Sequence, residues 1–105
     1  MMREKHRYLL VESGLPVAAE EREDFAFGLR NALLHCIGES NYHRANPQII
    51  GFTGPKTFVV RSSLWGCGQV VAALALIKKV NGKDSYFYTI KSSGTIRALG
   101  KSTPS

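Results

Sequence analysis

The side chains of this sequence best suited to nucleophilic or metal chemistry are two cysteines and three histidines, and their spacing decides what they can do. Cys67 stands in Trp65-Gly66-Cys67-Gly68-Gln69, near the start of an expected helix, and a helix N-terminus favours a nucleophilic thiolate. That is the enzymatic reading. A lone cysteine without a local signature is more often a small packed hydrophobe, which is the reading adopted. Cys36 and Cys67 lie far apart with no second pair, so they fit neither a disulfide framework nor a four-ligand zinc site and are expected reduced, in the cytoplasm. His6, His35 and His43 are scattered, without the spacing of a metal pair or a carboxylate relay. No catalytic residue, cofactor or metal is therefore expected in this chain.

Phosphate contacts have better candidates. Phosphate loops of the GxGxxG or Walker kind are absent. The loop Ser13-Gly14-Leu15-Pro16-Val17-Ala18 has neither the Gly-rich anion loop of small acyl-phosphate-cleaving enzymes nor the CxxC of metal chaperones. Twice, however, a cation and two serines precede an expected helix start: Arg61-Ser62-Ser63, and Lys91-Ser92-Ser93 continuing as Gly94-Thr95-Ile96-Arg97. Helix-end N–H groups, glycine backbone, hydroxyls and flanking cations together suit a phosphate oxygen. Serines also cap helices without any ligand; that reading is preferred for Arg61-Ser62-Ser63, and the phosphate reading for Lys91 to Arg97. The two strings are expected at opposite ends of a sheet, as separate contacts. Lys78, Lys79 and Lys83 add charge around the end of a second helix, where lysines also complement the dipole. The candidate RNA contacts are Lys91, Ser93, Gly94, Thr95 and Arg97, followed by Arg61, Lys78, Lys79, Lys5 and Arg7.

The charge is divided along the chain. Residues 1–55 carry six Lys/Arg against seven Asp/Glu, and residues 56–105 carry eight against one, so the net charge of +6 belongs to the second half. A one-sided cationic surface attracts polyanions through counterion release, which puts nucleic acid ahead of an anionic membrane surface or mere solubility. No run of eighteen apolar residues and no signal-peptide pattern is present, so a soluble, unprocessed protein without a membrane is expected.

Periodicity supplies the elements that must position these groups. Arg7 to Glu12 alternates, with Arg7, Leu9 and Val11 on one face and Tyr8, Leu10 and Glu12 on the other, as a strand does. Glu20, Glu21, Glu23 and Asp24 open a helix whose apolar stripe is Phe25, Leu29, Ala32, Leu33 and Cys36, with Gly38 as its C-cap. Ser40 to Pro47 reads as irregular. Gln48–Phe52 and Thr57–Arg61, joined by Thr53-Gly54-Pro55-Lys56, read as a hairpin. A second helix spans about Ser63 to Val80, buries Val70, Ala73, Leu74 and Ile77, holds Lys78 and Lys79 in its last turn, and stops at Asn81-Gly82. Ser85 to Lys91 is a strand, with at least one of Tyr86, Phe87 and Tyr88 in the core, and Thr95 to Lys101 is a short helical turn.

The order βαββαβ predicts an α+β, ferredoxin-like sandwich, also that of RNA-recognition modules: a four-stranded antiparallel sheet with helices on one face. One domain over residues 1–105 is expected, with its core at about 5–101 and residues 102–105 as a flexible tail. The third strand, Thr57-Phe58-Val59-Val60-Arg61, lacks the aromatic pattern of an RNA-recognition module, so base stacking is not the expected mode. Structured RNA bound through phosphates and shape is, with the open sheet face left for a protein.

Four strings carry a family likeness: Lys5-His6-Arg7-Tyr8-Leu9-Leu10-Val11-Glu12, Phe58-Val59-Val60-Arg61, Ala72-Ala73-Leu74-Ala75-Leu76-Ile77 and Ser93-Gly94-Thr95-Ile96-Arg97. In order and spacing, over about residues 5–101, the chain resembles archaeal ribonuclease P protein component 2. The resemblance implies a non-catalytic protein subunit of the endoribonuclease that removes the 5′ leader of precursor tRNA. The RNA subunit then supplies the catalytic site and uses the magnesium. It also implies a component 3 partner, pairing as a heterodimer that doubles to a heterotetramer, together with other ribonuclease P protein subunits. The chain departs from the family in the apolar stretch Leu64 to Gln69, with Trp65 and two glycines, and in Ser62, where a cysteine is expected. The rival readings are a regulatory or assembly module of the same fold binding a protein or small metabolite, and a nonspecific RNA chaperone.

Overall fold

The computed structural model describes residues 5–95. Arg97 and the expected helical turn up to Lys101 lie, beyond Thr95, outside the described residues. Strand β1 (His6–Ser13) is followed by a 3-10 turn (Ala19–Glu21), helix α1 (Arg22–Ile37), helix α2 (Glu39–Ala45), strands β2 (Gln48–Phe52) and β3 (Thr57–Ser63) and helix α3 (Cys67–Leu76). The short strands β4 (Lys79–Val80) and β5 (Lys83–Asp84) and the long strand β6 (Phe87–Ser93) complete the described chain. The main sheet has the order β2-β3-β1-β6 with every neighbouring pair antiparallel, as the βαββαβ reading requires.

Alternation in β1 sends Leu9 and Val11 to the helix side, opposite Val60 and Phe58 of β3. There they bury with Leu29 and Leu33 of α1 and Val70, Ala73 and Leu74 of α3. Phe25, Phe52, Phe58 and Phe87 meet at 5.5–6.1 Å between centroids, mostly edge to face, and close the core at the β1 C-terminal end. Of the aromatic run before β6, Phe87 is in the core, whereas Tyr86 and Tyr88 are about half exposed. The other sheet face carries Tyr8, Leu10, Glu12, Val59, Arg61, Tyr88 and Lys91, and its centre, Leu10 and Val59, is buried with Tyr8 packed against it.

Several local expectations change. Residues Glu39–Ala45 are helical, not irregular. Gly38, at φ 92°, ends α1 and lets α2 start at once; Asn46, left-handed at φ 46°, caps α2 before Pro47. Helix α3 is shorter at both ends than expected. Ile77 turns extended, and Asn81 and Gly82, at φ 54° and 79°, form the two-residue turn of a β4–β5 hairpin. Lys78 and Lys79 therefore follow the helix and are not in its last turn. Cys36, assigned to the buried stripe of α1, is exposed, because Leu29 and Leu33 set a narrower seam. No helix among the described residues is long and apolar enough to cross a membrane.

Candidate nucleic-acid interface

Strand direction decides where the basic residues meet. Both β3 and β6 run antiparallel to β1, so they are parallel to one another and their C-termini share one end of the sheet: His6 lies opposite Ser63, and Tyr8 opposite Ser93. The expectation that the two cation–serine–serine strings sit at opposite ends is corrected. They flank the start of β1 on its two sides, with Lys5 and Arg7 between them.

At that end Arg61, Tyr8 and Ser93 form one row across the sheet, on the face away from the helices, and Val59, Leu10 and Lys91 form the next. Arg61 donates from Nη2 to Gln48 Oε1 at 2.5 Å, which fixes its guanidinium along the β2 edge. Arg7 alternates to the helix face and donates from Nη2 to Ser92 Oγ at 3.1 Å. A Cβ added to Gly94 would stand 3.8 Å from Arg7 Nη1, so the guanidinium lies over the turn that leaves β6. The Thr95 N–H donates to Ser93 Oγ at 3.2 Å and tightens that turn. Arg7 thus lies by the Ser92-to-Thr95 turn on the helix face, while Lys91 and Ser93 lie at the same sheet end on the other face.

The serines of the other string do different work. Ser62 and Ser63 are buried at the end of β3, and α3 has Gly66 as its N-cap with no side-chain cap. Ser62 Oγ donates to the Ser63 carbonyl at 2.9 Å. Ser63 Oγ donates to the Arg44 carbonyl at 2.8 Å and accepts from the Gly66 N–H at 3.2 Å, so it clamps α2 to the loop before α3. Ser62 and Ser63 end β3 and do not themselves start α3, whose N-cap is Gly66; Arg61 alone of the three reaches the surface.

Lys78 and Lys79 do not join the cluster. They line a groove on the helix layer with Asn31, Ala32, His35 and Leu76, and Lys83 lies 3.9 Å from Glu21. The two ion pairs among the described residues are that one and His43–Glu39, also at 3.9 Å. Lys5, Arg7, Arg61 and Lys91 pair with no carboxylate among the described residues, and Glu12, two rows from Tyr8 across Leu10, is hydrogen-bonded to the Tyr88 hydroxyl. No group of three or more His, Cys, Asp or Glu among the described residues could hold a metal ion.

Sequence reasoning passed over the residues beside this end. Asn41 and Arg44 of α2, together with Trp65, Gly66, Gly68 and Gln69, line a second groove. The one available signal was Trp65 itself, an aromatic residue in a stretch already more apolar than its surroundings.

The fold and the chain have known counterparts. The chain superposes on a chain in the cryo-EM structure of yeast ribonuclease MRP with a TM-score of 0.55 at 9% identity, covering 90% of this chain and 78% of that one. This is a likeness of fold. Among curated proteins none matches in sequence. Residues 7–103 match the model of the Rpp14/Pop5 family, nearly the whole length. The chain belongs to the Rpp14/Pop5 family of ribonuclease P/MRP protein subunits, components of endoribonuclease ribonucleoproteins tied to tRNA processing.

Proposed function

We propose that this chain binds the catalytic RNA of a ribonuclease P through the basic end of its sheet and supports removal of the 5′ leader of precursor tRNA. In this reading it lends no catalytic group of its own. The observation that carries it is the gathering of Lys5, Arg7, Arg61 and Lys91 at one sheet end without a carboxylate partner among the described residues. Uncompensated cations on both faces of one edge repel each other and favour a polyanion that neutralises them together. The turn Ser93-Gly94-Thr95 adds hydroxyl and backbone donors at the same place. Hydrolysis would then belong to the RNA, which would also hold the magnesium.

The finer reading is that of an archaeal component 2. Its heterodimer mate would be component 3, two such pairs would form a heterotetramer, other ribonuclease P protein subunits would join them, and the particle would work in the cytoplasm without a membrane. The four matching strings and the family match support it. The test adds the purified chain and a component 3 partner to an archaeal ribonuclease P RNA at moderate magnesium and scores precursor tRNA cleavage. Stimulation is expected from the native chain and a weaker effect from Arg61→Glu/Lys91→Glu. Each lost phosphate contact should lower the slope of log K against log salt by roughly one. No stimulation by the native chain would overturn the reading, and an unchanged slope would remove this sheet end from the RNA.

A further inference from the structure

We propose that Trp65, with Arg44, Asn41 and Gln69, is a stacking site for an unpaired RNA base. Trp65 is 86% exposed, the most open large hydrophobic residue among those described. An indole left in water forgoes its burial free energy, and a loose loop would explain that without any partner. This loop is held at three points. The Leu64 N–H donates to the Lys5 carbonyl at 3.0 Å, the Gly66 N–H donates to both the Ser63 carbonyl and Oγ at 3.2 Å, and the Gly66 carbonyl accepts the first α3 bond, from Val70. The loop backbone is fixed on both sides of Trp65 while the ring stands in water.

The surroundings select the occupant. Trp65 borders a groove of about 380 Å³ whose other walls are Asn41 and Arg44 of α2, the backbone of Gly66 and Gly68, and Gln69 of α3. Asn41 and Arg44, three residues apart, share a helix face; Glu39 and His43, four apart, pair with each other. The groove therefore has a flat aromatic wall, the Gln69 amide and the Oδ1 of Asn41, whose Nδ2 donates to the Ile37 carbonyl at 3.4 Å, a guanidinium and no carboxylate. Apart from the indole the lining offers hydrogen-bonding groups and a cation, the complement of a base edge and its phosphate. The hydrogen bond from Leu64 to Lys5 joins the groove to the basic sheet end, so a strand whose phosphates lie at Lys5 and Arg7 can turn a base onto the indole. The site deepens the proposed RNA-binding function and rests on it.

Trp65 is the chain's one tryptophan, so its fluorescence reports this site alone. The full-length chain is titrated with an unstructured twelve-nucleotide RNA and with a twelve-base-pair RNA duplex, with binding followed separately by the anisotropy of a labelled RNA end. The single strand should quench the indole as it binds and the duplex should not. Trp65→Ala should weaken single-strand binding on the order of tenfold or more, Trp65→Phe less, with the duplex affinity and the salt slope unchanged. The exposed ring makes a folding defect an unsuitable explanation, and circular dichroism of Trp65→Ala checks this. Anisotropy that rises without quenching overturns the stacking site and leaves the RNA-binding function standing. Absence of any anisotropy change with these RNAs and with ribonuclease P RNA overturns both. An indole that responds only when a purified protein subunit is added makes the groove a protein contact and overturns the proposal.

Discussion

Replacing Gly66 with alanine should pry α2 from α3 and loosen the groove that holds Trp65. Gly66 sits at φ −102° and ψ 0°, which alanine adopts, so backbone strain is not at issue. Space is. A Cβ there would lie 2.2 Å from Ala45 Cβ and 2.5 Å from Ala45 Cα, whereas carbon atoms settle at about 3.5–4.0 Å. Ala45 is fully buried at the end of α2, so neither atom belongs to a side chain that can swing away. Relief needs a displacement of about 1–1.5 Å between the two backbones. That would break or strain the Ser63 Oγ bonds to the Arg44 carbonyl and the Gly66 N–H, now 2.8 and 3.2 Å. Overpacking at about 1–3 kcal/mol and two weakened hydrogen bonds at about 1 kcal/mol each suggest a loss of about 3–5 kcal/mol. At about 4–8 °C per kcal/mol for a domain near this size, Tm should fall by about 12–40 °C. Urea and thermal unfolding followed by far-ultraviolet circular dichroism would measure it. The control is Gly68, two residues on and exposed in the first turn of α3, where an added Cβ meets nothing within 4 Å. Gly68→Ala should stabilise by up to about 0.5–1 kcal/mol through helix propensity. A Gly66→Ala protein that melts within about 2 °C of the native chain would refute the steric argument.

Phe58 contacts Phe25, Phe52 and Phe87 and is fully buried, so Phe58→Ala should lose about 3–5 kcal/mol, read as a lower urea midpoint with an unchanged m-value. Gly14→Ala should cost less than about 1 kcal/mol although its Cβ would overlap the Tyr86 ring, because that ring is half exposed and can swing outward. Arg97→Glu should weaken binding to ribonuclease P RNA and lower the salt slope by roughly one; an unaltered slope would take Arg97 out of the contact set.

Much of the fold was legible because its signals are local. Alternation in β1 and the run Gln48–Phe52 mark strands, and Gly38 marks the end of α1, since each pattern depends on residues only a few positions apart. The buried face of α3, Val70, Ala73, Leu74 and Ile77, was equally readable. Helix α2 was not. It is seven residues long, too short to show a period, and its sequence Glu-Ser-Asn-Tyr-His-Arg-Ala is mostly polar; it is held by Tyr42 and Ala45 packing inward and by Ser63 from another element. The end of α3 was misplaced because Ile77 and Val80 continue an apolar pattern, while the Asn81-Gly82 turn suits a hairpin as well as a helix stop.

The sequence by itself determined which half of the chain is basic, which residues are apolar at strand and helix spacing, and that hydroxyls and glycines follow Lys91. Only the tertiary structure decided that β3 and β6 leave the sheet at the same end, which brings Arg61 and Lys91 to either side of β1, and that Ser63 is a buried clamp while Trp65 stands in water. The physical reason is range. Periodicity records which way a side chain points within its own element, whereas direction, register and close approach are settled by pairings between residues dozens of positions apart, such as His6 with Ser63 and Tyr8 with Ser93.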